Sequence, residues 1–393
     1  MALIVAACGG PPMPSFAAAD TDGPRTLVMP SDVSAAPIVP EALAVPAPPP
    51  PPAPPQRDPR ASRIAKMLAG RATDDAPKPL ADLLEHHAKR VAADVAAFDQ
   101  KAGRAMLAWS EREVPQAAGE TVFYPFAGPD FITAHRLYPR ASRYVLVALQ
   151  EPGALPSIDT LPRVEARRAL AAYERIIASF TRRGFFLTAA MGRGFVAADE
   201  LGVAGALAAF AEIEGFDVLS VEPRTIAPSG ELVPGEGGPG LHLSLVRRDG
   251  GEPVSLDYVM LDLSDTFLKG HAPSRRFLER EAANRVLVKA ASHLMQQMGF
   301  DVIRDTLIDR AQTILEDETG VAYSALTARF DVTLFGHFDR VNTLFSGRPQ
   351  RALTEAYRTR DDIRELPFPI GYRKNKGSCL QLAKRPPRKA PEE

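Results

Sequence analysis

A run of ten residues, "PAPPPPPAPP" at 46–55, limits what this chain can fold into more than any other stretch. Proline fixes φ and lacks an amide hydrogen, so the run joins neither a helix ladder nor a sheet and extends as polyproline II. At about 3.1 Å per residue it reaches roughly 31 Å. Of the 37 prolines, 16 lie in residues 1–60, and the surrounding sequence is rich in Ala, Ser, Asp and Gly. Such a composition buries too little apolar surface to offset the entropy of ordering. The expected layout is a disordered proline-rich stalk over 9–74, folded regions over 75–226 and 227–385 that can form one domain, and a solvated tail at 386–393.

Ahead of the stalk stands "VAAC" at 5–8. It resembles the end of a bacterial lipoprotein signal, with Val5 as the aliphatic residue, Ala6 and Ala7 as the small pair and Cys8 as the lipid acceptor. The resemblance implies cleavage before Cys8, a diacylglycerol on its sulfur and an acyl chain on its new amine. Two or more chains give stable anchoring where one is marginal. The apolar stretch Ala2–Ala7 falls short of the roughly 7–15 residues of a signal core, and no Lys or Arg precedes it. The expectation is therefore an in-frame extension upstream of Met1, and a protein lipid-anchored in the cell envelope.

Charge narrows the partners. Lys plus Arg number 47 against 48 Asp plus Glu, a formal net charge of -1. No overall field gathers phosphates, so general nucleic-acid binding is disfavoured. No apolar run approaches the roughly 20 residues of a membrane-crossing helix. The second cysteine, Cys379 in "SCLQL", reads as a buried unpaired thiol. Neither clustered Cys/His nor HExxH spacing is present, so no metal and no cofactor is expected.

From residue 79 apolar side chains recur every three or four positions to Trp109, predicting a long helix on which His86 and His87 point about 100° apart. One of the two sits at the core margin and the other in solvent. "TVFYPF" at 121–126 reads as a strand, "DFITAHRL" as a short helix from Asp130, and "RYVLVALQ" at 143–150 as an all-apolar strand covered on both faces. Helices at 163–182 and 200–213, with strands at 185–190 and 216–222, continue the alternation. This is an α/β fold with Rossmann-like βαβ units and a mostly parallel sheet in its first half.

The second half reads differently: a loop at 228–240, an antiparallel hairpin at 241–264 around "DGGE", helices at 275–298 and 301–317, and a strand at 328–339 that bends at Gly336. Shorter strands are expected at 366–373 and 378–384.

Candidate chemistry lies at the carboxyl ends of the parallel strands, where open sheets bind ligands. "FAGPDF" at 126–131 and "ALQEPG" at 148–153 place Gly128, Asp130 and Glu151 there. The pair resembles a class I methyltransferase or nucleotide-binding arrangement, which implies Gly128 in a cofactor turn and an acid after the second strand on ribose hydroxyls. Pro129 lacks the amide such a turn uses, and Asp130 fits equally as a helix N-cap. A hydrolytic trio of Asp130, His135 and Glu151 and a His242–Asp257 pair across the hairpin are further arrangements. No GxSxG occurs, and "GRG" at 192–194 reads as a loop.

"YPFAGPDF", "ILEDETGVAY" and "PFPIGYR…SCLQLA" resemble blocks of an uncharacterised bacterial exported or lipoprotein family. That resemblance implies an envelope address and no activity. The expected role is binding or scaffolding of a small ligand or envelope protein, with a methyltransferase-like enzyme as the alternative.

Overall fold

In the strand Arg143–Ala148, Tyr144 and Leu146 point to one side and Val145 and Val147 to the other. All four are fully buried, so this strand must be covered on both faces, and the whole architecture follows that demand. The computed structural model describes residues 57–71, 76–184, 202–340, 350–373 and 377–387. Cys8, most of the stalk, the strand expected at 185–190, the loop at 192–194 and the end of the tail lie outside the described residues. The fold is mixed α/β, 44% helix and 20% strand.

Helix α1 (Pro59–Leu68) begins on a cap from Asp58, whose side chain accepts from the amides of Arg60 and Ala61. Helices α2 (Ala81–Phe98) and α3 (Arg104–Glu113) run on through one π turn, and α4 (Phe131–Leu137), α5 (Arg163–Arg183) and α6 (Val203–Ile213) follow. Their apolar faces form one core against one side of the sheet. The other side is covered by α7 (Asp265–Gly270), α8 (Ala272–Glu281), α9 (Asp301–Arg310) and α10 (Tyr323–Thr327), which enclose a second core. Helix α11 (Arg351–Thr359) packs in a small third cluster with Leu334 and Phe338.

Among the described residues ten strands make a single sheet. In chain order they are β1 (Thr121–Tyr124), β2 (Arg143–Ala148), β3 (Phe216–Ile226), β4 (Leu232–Pro234), β5 (Gly240–Arg247), β6 (Pro253–Met260), β7 (Arg285–Val288), β8 (Thr313–Glu316), β9 (Asp331–Gly336) and β10 (Cys379–Lys384). Their spatial order is β4-β3-β5-β6-β2-β1-β7-β8-β10-β9. The central five, β6-β2-β1-β7-β8, are parallel. Antiparallel pairs flank them at both ends.

Several expectations hold: the long helix, the hairpin of β5 and β6, and the bend at Gly336, whose φ of 81 suits glycine. Others need correction. The stalk does not reach residue 74, because α1 buries Ile64, Met67 and Leu68 in the first core and the Asp58 amide bonds Leu219 O at 2.7 Å. Strands β7 and β8 lie inside the segments expected as helices. The stretch 366–373 is not a strand, since Pro367 and Pro369 lack ladder donors. The boundary at 226/227 does not divide the sheet, as β3 pairs with both β4 and β5 across it.

Candidate functional site

The strand order reverses at β1, with β2 on one side and β7 on the other, which opens a crevice beyond their carboxyl ends. A cavity of about 150 Å³ occupies it. The turn from β1 to α4 forms one wall. Its Ala127 amide bonds Val147 O at 2.9 Å, and the turn closes with Phe126 at φ 61 and Gly128 at φ 61. Glycine tolerates this conformation and phenylalanine is strained in it. The Phe126 ring packs against Phe300, centroids 6.2 Å apart and planes tilted by 59°, and both line the cavity. Leu149 lies exposed on the lining, and Leu261, tied to Ala148 O through its amide, adds another apolar surface.

The floor is ionic. Lys289, the residue after β7, is 1% exposed, and its ammonium meets Asp130 at 2.8 Å and also donates to Gly184 O. Asp130 is equally occupied, accepting from the Thr133 amide at 3.0 Å and the Tyr124 hydroxyl at 3.1 Å. It is therefore the N-cap of α4 and the counter-charge of Lys289 together. Burial, then the Asp130 carboxylate, push the Tyr124 phenol far above its usual range.

Ala290, next to Lys289, is the second non-glycine residue at positive φ among the described residues (φ 56). Asp317 holds it there by accepting from its amide at 3.0 Å. Asp317 is fixed in turn by the Thr319 amide and hydroxyl. The acids on either side of it are bonded too: Glu316 accepts from the Val321 amide at 2.8 Å and from Gln381, and Glu318 faces Arg373 and the Cys379 thiol. Burial raises all three acids, Glu318 to about 7 with help from the Asp317 charge. Cys379 is buried and unpaired, as expected. The three sequence blocks "YPFAGPDF", "ILEDETGVAY" and "PFPIGYR…SCLQLA" thus meet behind one cavity.

Gly128 and Asp130 line the cavity, whereas Glu151 is exposed and absent from its walls. The adjacent Gln150 takes that place, its backbone fixed by the Tyr258 hydroxyl at 2.7 Å. The buried Gln150 Oε1 has no hydrogen-bond partner among the described residues. Asp262 at the end of β6 presents a further acceptor, one of its oxygens bonded to the Ser264 amide at 2.8 Å. The hydrolytic trio does not assemble, because His135 pairs with Glu214 at 2.7 Å and Glu151 stands exposed outside the cavity. His87 is buried between Leu68 O and Glu174, and His86 is exposed. Sequence reasoning missed Gln150, Asp262 and Lys289. The signal available was their position, each within two residues of a parallel strand's carboxyl end.

Among the described residues no three His, Cys, Asp or Glu side chains stand together as a metal site, and no helix is long and apolar enough to cross a membrane. No protein family, curated protein or solved structure matches the chain.

Proposed function

We propose that this chain is a lipid-anchored protein of the bacterial cell envelope whose α/β unit binds a small cyclic or aromatic ligand in the cavity beyond β1, β2, β6 and β7. The observation that carries the reading is the strain at that cavity. Both left-handed non-glycine residues among the described residues, Phe126 and Ala290, stand in its wall. Such conformations cost of order 1–3 kcal/mol each and persist where a site needs its shape. The polar atoms on offer define the ligand. Lys289 is neutralised by Asp130, which leaves the Gln150 and Asp262 acceptors, so the ligand brings hydroxyl or amino donors on a ring that packs against the apolar wall of Phe126 and Phe300. A nucleoside has that form. The envelope address rests on Cys8 and the proline-rich segment after it.

Thermal shift with adenosine as probe tests the site. Adenosine should raise the midpoint of the wild-type chain and leave Gln150→Leu unmoved; no shift at saturating probe removes the proposal. The address is tested by fractionation: Cys8→Ala should move the protein from membranes to the soluble fraction, and an unchanged distribution contradicts the anchor.

The strand order favours a second reading, S-adenosylmethionine-dependent methyl transfer. The central strands follow the 3-2-1-4-5 order of doubly wound sheets, and β10 enters antiparallel between β8 and β9, as in class I methyltransferases. Against it, Phe126 occupies a turn position suited to glycine and Pro129 removes an amide. S-adenosylmethionine binding with release of S-adenosylhomocysteine would decide for this reading.

A further inference from the structure

A second cavity, about 370 Å³, lies at the opposite, amino end of β2, between the sheet and α8. At its base Asp257 is 4% exposed and accepts from Arg143 Nε at 2.8 Å and from His242 Nδ1 at 2.7 Å. The other two nitrogens of Arg143 clamp Glu281 at 2.8 and 3.1 Å. This network places the imidazole proton on Nδ1 beside the carboxylate, and its Nε2 has no hydrogen-bond partner among the described residues. Burial alone would raise the Asp257 carboxyl, but the His242 hydrogen bond and Arg143 charge outweigh it and hold it below its usual range.

On the neighbouring strand, Arg224 spends one terminal nitrogen on Glu222 at 2.9 Å. Its buried Nε finds no partner among the described residues. A buried guanidinium N–H without an acceptor demands an explanation, and Arg224 lines the same cavity as the oriented imidazole. Ser255 adds a hydroxyl to that lining. The charged side chains around the cavity are otherwise matched, Arg143 with Asp257 and Glu281, and Arg280 with Glu231. Selection therefore rests on directed donors rather than on a net positive field.

We propose that this cavity binds a small oxyanion, a carboxylate or phosphate group, between Arg224 Nε and His242 Nε2. The site is separate from the cavity beyond β1, so its fate and that of the ligand reading above are independent. Isothermal titration of the full-length chain with inorganic phosphate and with acetate at about pH 6 tests it. Expected is saturable binding of at least one probe, weakened roughly tenfold or more by Arg224→Gln and by His242→Gln. Binding of phosphate alone identifies a phosphate ligand, and binding of acetate a carboxylate one. No saturable binding up to roughly 50 mM, or binding that both variants retain, overturns the proposal. Should either variant fail to fold, the wild-type His242 ring proton resonances decide: movement with the bound probe supports the site, and no movement overturns it.

Discussion

Lys289 brings an ammonium to the floor of the cavity only because Asp130 meets it there, and the two side chains are 1% and 2% exposed. A buried ion pair adds little net stability, yet breaking one strands the remaining charge at about 3–5 kcal/mol. Asp130→Asn keeps a competent N-cap for α4 but removes the counter-charge, so urea unfolding should show a loss of that size. Lys289→Met should lose less, because Asp130 retains Tyr124 and the Thr133 amide. Equal losses would mean that Tyr124 and the Thr133 amide do not compensate the Asp130 carboxylate once its counter-charge is gone. Ala290→Gly tests the strained wall: a residue at φ 56 gains from losing its Cβ, and stability should rise by about 0.5–1 kcal/mol. The capping role of Asp130 was legible in the sequence, because a cap bonds three residues away. Its pairing with Lys289 was not, since that contact depends on β1 lying beside β7.

Short elements between helices are where periodicity misleads. Strand β7 has four residues and follows α8 closely, so the helical pattern of Phe277 and Leu278 swallows it. Strand β8 is likewise four residues at the end of α9. The six-residue β2 and the hairpin of β5 and β6 are long enough to show a continuous apolar run or a turn signal, and both were legible. Helix α1 was hidden for another reason: proline-rich sequence runs up to its first residue, and only the Asp58 cap with Pro59 at the first position marks the change. Its packing is a testable claim. Ile64 is fully buried in the first core, so Ile64→Ala should cost about 2–5 kcal/mol, read as a shift in the urea midpoint. A cost near zero would detach α1 from the fold.

Because one sheet runs through both halves of the sequence, local charge burial is read out by the stability of the whole unit. The α/β class and parallel centre followed from alternating helix and strand patterns, while the strand order, which sets the crevice, depends on long-range pairing that no local pattern carries. The run Glu316–Asp317–Glu318 shows the consequence at this scale, since three adjacent acids are buried at the end of β8. Burial raises Glu318 from 4.5 to about 7, so between those values the folded chain holds a proton that the unfolded chain has released. The folded state then binds more protons, and stability falls as pH rises through that window. Glu214 and Asp257 shift the opposite way, held low by His135 with Arg136 and by His242 with Arg143 once burial is outweighed. Their contributions are lost only as pH drops through the acid range below. Glu318→Gln keeps acceptors for Arg373 and Cys379 but cannot ionise. The variant should therefore lose less stability than the wild type between about pH 5 and pH 8, and stand above it at the higher pH. Urea midpoints of both proteins at the two pH values check this, and an identical pH dependence would show that Glu318 does not titrate in the window.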